Sequence, residues 1–296
     1  MGCSIENLTF KDIKDKELFS YIDTNGNIKI KSRKDKIDET LISGDNVYEY
    51  DFNLNDYLAA YITKGNEKRN IVIYDPKAKS KNIIGTLNSP RSIKWSPDGK
   101  YIAVDSGTGS VGAIQIYDMK NKGWINISKS TYNYAWSPEG NALAFGVWEN
   151  TNPPTPIEDG RTISTAVIFL NQKNTIKTIM KGSSNFYIYP VRWIDNNTIA
   201  LSRFNYAGES KESYFKANTS DGSIKEAKKS EAIIDESLKL PEEVTNVLYD
   251  ISPDGKYVLY TCYDDKAKAQ KVMLWDVANR KKTEVCQGED PKWIKN

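Results

Sequence analysis

The 296-residue chain contains no histidine, and that absence excludes much chemistry. Ser-His-Asp and Cys-His nucleophilic arrangements need an imidazole to carry the proton, and the commoner zinc sites need one as a ligand. Cysteine is scarce too, at three residues. Cys262 and Cys286 fall on the second and fourth strands of one predicted repeat, about 9.5 Å apart. That is beyond disulfide reach, so both are expected as buried small side chains. A charge excess of either sign is missing. The 41 Lys and Arg are mixed with 39 Asp and Glu, no basic stripe emerges, and nucleic acid is not an expected partner. No apolar run approaches the ~18 residues of a membrane span. Nor is there a phosphate-cradling glycine loop: Asp105-Ser-Gly-Thr-Gly-Ser lies between two strands and reads as a flexible connection. No cofactor is expected.

What is present is one short phrase, used six times. Its clearest copies are Trp95-Ser-Pro-Asp-Gly-Lys-Tyr-Ile-Ala, Trp136-Ser-Pro-Glu-Gly-Asn-Ala-Leu-Ala and Ile251-Ser-Pro-Asp-Gly-Lys-Tyr-Val-Leu. Weaker copies start at Phe52 and Trp193, and a sixth starts at Trp293. The anchors are separated by 43, 41, 57, 58 and 42 residues. A period of roughly 40–50 residues built from short strands is the signature of a β-propeller, one four-stranded blade per repeat.

Each phrase decodes physically. A short apolar strand ends at the anchor. Proline then fixes φ, Asp bonds back to the local backbone and Gly takes the positive-φ position. A second strand follows at once, as in Tyr101-Ile-Ala-Val and Tyr257-Val-Leu-Tyr, apolar on both sides because it lies between neighbouring blades. A third recurs as Ile114-Gln-Ile-Tyr-Asp and Val272-Met-Leu-Trp-Asp, and a more polar fourth as Trp124-Ile-Asn-Ile and Lys282-Thr-Glu-Val. Lysines on that outer strand discourage edge-to-edge pairing. Residues Pro291 to Ile294 supply an inner strand, and about residues 17–43 supply strands with no anchor before them. The prediction is an all-β, six-bladed propeller with four-stranded antiparallel blades, its ring closed by the C-terminal strand joining the N-terminal blade. Residues 17–296 are expected to form this single domain, and 1–16 a tail or tether.

The phrases, followed by a hydrophobic strand and Ile-x-Ile-Tyr-Asp, resemble the repeats of TolB-type six-bladed propellers over essentially residues 17–296. Related repeats occur in prolyl-oligopeptidase-like peptidases. Trp275-Asp276 also looks like a WD repeat, without the Gly-His pair of that family. The resemblance implies a binding platform and hands over no catalytic residue. Propellers resembling oligogalacturonate lyase rely on histidine-rich metal sites, which this composition does not provide.

Met1-Gly2-Cys3-Ser4 ends as a bacterial lipoprotein signal ends. The rival readings are N-myristoylation, where Glu6 occupies a Ser/Thr position, and an accidental Gly-Cys. The bias toward Lys, Asn, Ile and Tyr hints at an AT-rich bacterial gene. The expectation is therefore a protein outside the cytoplasmic membrane, held to it only by a lipid on Cys3.

Strand parity locates the working face. Glu149 to Arg161 and Asn205 to Ser210 enlarge connections between second and third strands; Glu231 to Glu243, with helical potential, runs from the fifth blade into the sixth. All three fall on one face, and long loops of this kind carry function. Tyr132, Tyr134, Tyr187, Tyr189 and Arg192 on strand-one segments, with Trp148, Arg203 and Asp264 at strand-two ends, are the candidate partner-binding residues. Tyr, Trp and Arg suit protein or peptide recognition, and the same mouth suits a cell-wall glycan. Carboxylate chemistry by Glu149, Glu158, Asp159, Asp264 or Asp265 stays open as a glycan-processing alternative, as does a calcium site at Asp264-Asp265.

Overall fold

A computed structural model describes residues 17–34, 36–108, 111–150, 161–205, 211–233, 238–241, 244 and 249–294. Cys3, Glu158, Asp159 and the insertion tips 151–160 and 206–210 lie outside them. The chain divides into two compact units, residues 1–86 with 235–296 and residues 87–234.

In the first unit, β1 (Leu18–Ile22), β2 (Ile28–Ser32) and β3 (Asp38–Ile42) form a sheet whose fourth member is β23 (Glu289–Trp293), in the order β23-β1-β2-β3. Phe19 pairs with Trp293 and Ser20 with Lys292. The C-terminal strand therefore joins the N-terminal blade, as the sequence predicts. The second sheet runs β4 (Val47–Asn53), β5 (Leu58–Thr63), β6 (Lys68–Asp75) and β7 (Ser80–Asn88). The third runs β19 (Tyr249–Ile251), β20 (Tyr257–Asp264), β21 (Ala269–Asp276) and β22 (Lys281–Gln287). Side chains from facing sheets make the cores: Ile22, Ile28 and Ile42 pack with Tyr50, Ala59 and Tyr61, and Phe19, Tyr21 and Trp293 with Leu259 and Val272.

The second unit holds a departure from expectation. The sequence predicts a break between the fourth strand at Trp124 and the next inner strand at Tyr132. Instead β11 (Gly123–Trp136) runs unbroken for 14 residues. Its first half pairs with β10 (Val111–Asp118), its second with β12 (Ala142–Asn150). With β8 (Ser92–Trp95), β9 (Tyr101–Thr108), β13 (Arg161–Phe169) and β14 (Thr175–Met180) this makes one seven-stranded sheet, two blades sharing a strand. The sheet β15 (Phe186–Trp193), β16 (Thr198–Asn205), β17 (Glu212–Asn218) and β18 (Ile224–Ala227) completes six blades. Since β9 runs to Thr108 and β10 starts at Val111, Asp105 to Thr108 are strand residues and not a loop. A single helical turn, α1 (Lys229–Ala232), begins just before the expected insertion at 231.

Candidate binding site

Directly paired residues of antiparallel strands share a face, and faces alternate along each strand. Tyr187 pairs with Phe204 and Tyr189 with Ser202, whereas Ile188 pairs with Arg203. Tyr187 and Tyr189 thus project from one face of the β15–β16 pair and Arg203 from the other.

On the tyrosine face three aromatic rings meet. Trp148, at the end of β12, stands edge-on to Tyr187 at 6.2 Å, and Tyr187 edge-on to Tyr189 at 6.1 Å. Edge-to-face contacts of this kind set positive ring edges against negative faces. Phe204 beside them is 40% exposed, high for so large an apolar side chain. On the opposite face the Arg203 guanidinium lies over Phe186 at 5.2 Å and over Phe215 at 5.4 Å, a cation held against ring faces.

The other candidates are placed elsewhere. Tyr134 packs on the core between β9 and β13, its hydroxyl 3.0 Å from Ser92 Oγ. Tyr132 is a β11 residue whose side chain lies outside the description. Arg192 sits five residues from Tyr187 along β15, about 17 Å. It fastens α1: its Nε donates to Ala232 O at 2.9 Å and its Nη2 to Glu231 O at 3.0 Å. Asp264, at the end of β20 in the other unit, accepts the Lys266 and Ala267 amides at 2.8 and 3.0 Å and pairs with Lys271 at 2.7 Å. The Lys271 ammonium and those amides hold its carboxyl down, at about 2. Among the described residues no three His, Cys, Asp or Glu side chains are placed to hold a metal. Glu149 accepts the Ser164 hydroxyl across the β12–β13 pair. Cys262 and Cys286 are free, as expected, but half-buried rather than fully buried. Burial pushes the Cys286 thiol up to about 11, which keeps it protonated and unreactive.

Sequence reasoning missed a half-buried ionic cluster in the first unit. Lys292 Nζ on β23 donates to Glu49 Oε1 at 2.8 Å and to the Tyr50 carbonyl, lies 3.1 Å from Asp290 Oδ2, and sits over the Tyr50 ring at 4.6 Å. The Tyr50 hydroxyl meets Ser20 Oγ at 2.8 Å and donates to Asp290 O at 3.0 Å. From the other side Asp250 accepts the Trp293 amide at 2.8 Å, and Thr261 Oγ1 accepts the Asp290 amide at 3.1 Å. Two acids face one ammonium. Burial, opposed by Lys292 and aided by the Asp290 charge, pushes Glu49 up to about 8. The available signal was a charge inside each of two predicted inner strands, Tyr48-Glu-Tyr and Pro291-Lys-Trp.

Six four-strand blades of this kind define a TolB-type six-bladed propeller fold. The profile of the family described as "Eukaryotic translation initiation factor eIF2A" matches residues 12–164, just over half of the chain, and the chain belongs to that family. Among solved structures it is similar to TolB from Acinetobacter baumannii, with 16% identity and a TM-score of 0.57 over 94% of this chain. The chain spans 66% of that TolB chain. It is also similar to the β-propeller domain of the trilobed protease from Pyrococcus furiosus, described as having an open velcro topology (13% identity, TM-score 0.51, 88% of this chain and 74% of that one). A third likeness is to an oligogalacturonate lyase in complex with manganese (11% identity, TM-score 0.51, 88% and 70%). Comparison with curated proteins found no match. No described helix is long and apolar enough to cross a membrane.

Proposed function

We propose that the protein is a non-enzymatic binding propeller that takes a protein or peptide partner where β12 and β16 end and β15 begins. The observation that carries this reading is the edge-to-face group of half-buried Trp148 and Tyr189 about the buried ring of Tyr187, with exposed Phe204 beside it. The group lies next to the two repeats whose spacing lengthens to 57 and 58 residues. Tyr and Trp supply large contact area at little entropic cost and dominate binding hot spots. The balance of 41 basic and 39 acidic residues favours a protein over a nucleic-acid partner. A random peptide library selected on the immobilised protein tests the reading. Selected peptides should lose ~1–3 kcal/mol of binding on Trp148→Ala with the fold intact, and should be indifferent to Tyr263→Ala in the other unit. A library yielding no Trp148-dependent binder sinks it, and an oligosaccharide displacing the peptides promotes the glycan reading.

The proposal extends to place: a protein outside the cytoplasmic membrane of a bacterium, tethered by lipid on Cys3. Metabolic labelling with a fatty acid should mark the protein in its native host and be lost in Cys3→Ala. An unlabelled protein in the cytosolic fraction ends that reading.

A further inference from the structure

Among the described residues no carboxylate pairs with the Arg203 guanidinium. Its Nε is buried with no hydrogen-bond partner among the described residues, and so is the hydroxyl of Ser213, its cross-strand neighbour on β17. Buried polar atoms are nearly always paired, so two orphans on one cross-strand pair ask for an explanation. The nearby described carboxylates are engaged elsewhere. Glu212 takes the Ser202 hydroxyl at 2.7 Å from the opposite face, and Glu149 takes that of Ser164. A purely structural arginine accounts for the contacts with Phe186 and Phe215 but leaves both orphans in place.

We propose that Arg203 and Ser213 bind a side-chain carboxylate of the peptide partner, so that the recognised segment is acidic. This rests on the peptide-binding reading above. A guanidinium flanked by aromatic rings keeps its plane fixed, and a planar fork beside a hydroxyl suits the two oxygens and single charge of a carboxylate. A phosphate dianion calls for more positive charge than one arginine brings. The site lies at the same end of the β15–β16 pair as Tyr187, on the opposite face. One extended segment crossing that rim meets aromatic rings on one side and the cation on the other.

The probes are N-acetyl-tetra-aspartate amide and its tetra-asparagine counterpart, titrated into the full chain while the Arg203 Nε–Hε resonance is followed. The aspartate peptide should shift that resonance saturably and the asparagine peptide should not. Arg203→Met keeps the packed stem and should lower affinity tenfold or more at unchanged melting temperature. Arg203→Lys should keep part of it, and Ser213→Ala should weaken binding several-fold. Equal response to both peptides, or undiminished binding by a folded Arg203→Met, overturns the proposal. Should Arg203→Met fail to fold, absence of a shift in the unmodified protein overturns it alone. Stronger competition by inorganic phosphate or glucuronate overturns the choice of a peptide carboxylate. Library peptides that need Trp148, carry no Asp or Glu and ignore Arg203→Met overturn this proposal and leave the peptide-binding reading standing. Aspartate-peptide binding at Arg203 without any Trp148-dependent peptide does the reverse.

Discussion

A serine decides where the second strand of a blade begins. Ser96 Oγ donates to Asp98 at 2.7 Å and accepts the Tyr101 amide at 2.9 Å; Ser252 does the same with Asp254 and Tyr257 at 2.7 and 2.9 Å. Gly99 and Gly255, at φ of 73° and 70°, close these turns. Ser96→Ala or Ser252→Ala should cost about 1 kcal/mol each, read by urea denaturation. These turns were legible in the sequence because every partner lies within five residues. The ionic cluster was not, since Glu49 and Lys292 are 243 positions apart. Glu49 also makes a sharper prediction. Its folded value of about 8 lies above the ordinary 4.5. The native state therefore holds a proton that the unfolded chain releases, and stability falls as pH rises between those values. Glu49→Gln should flatten that slope, and an unchanged slope would show the carboxyl already ionised.

At the scale of elements, β11 and β23 depart most from a simple repeat. The run Trp124 to Trp136 gives no proline or glycine to stop a strand, and nothing local says that one strand serves two blades. Two blades are thereby fused through backbone hydrogen bonds. The joining of β23 to the N-terminal blade was readable from the sixth phrase at Trp293 and from N-terminal strands with no anchor before them. Its fit was not, because it depends on close approach. Gly288 stands at φ of 150°, and a Cβ there would lie 2.5 Å from the Ile22 carbonyl and 2.6 Å from the Tyr21 ring. Gly288→Ala should cost ~1–3 kcal/mol through that strain. Removing residues 290–294 should lower the melting temperature by far more, because Lys292, Trp293 and the cover over β1 go together. An unchanged melting temperature would mean that β23 is dispensable. Of the candidate residues, Tyr187 and Trp148 come together, whereas Arg203 lies on the other face because its register partner is Ile188, which no local pattern discloses.

For the whole molecule the titrating groups set opposite limits. Glu17, Asp38, Asp98 and Asp254 lie below their ordinary values, Glu17 and Asp254 chiefly through hydrogen bonds from Arg33 and Ser252. Burial opposes the drop at Asp38 and Asp98, where hydrogen bonds and lysine charge outweigh it. Their stabilisation is present at neutral pH and lost as pH falls through those lowered values; exposure makes each share small. Glu49, and Asp105, which burial raises against the pull of Arg91, work the other way. The unfolding free energy should therefore peak near about pH 5 and decline on both sides, measured by denaturant titration from about pH 3 to pH 8.5. A plateau across pH 5 to 8 would contradict the raised Glu49 carboxyl. Six blades were countable from the chain alone because the turn phrase is local and repeated. Division into two units of three blades was not, since one unit joins the two ends of the chain.

That joining of ends has a consequence for synthesis. Ser20 and Lys292 meet across 272 positions, and a ribosome adds about 5–20 residues per second. The edge of β1, Leu18-Phe-Ser-Tyr-Ile, buried at every position once β23 is in place, is left open for roughly 15 to 55 seconds at that speed. An apolar unpaired edge is a template for other chains. Each nascent molecule thus passes through an interval in which the edge of its first blade stands open to other chains. Chains that stop short of Glu289 never leave that interval.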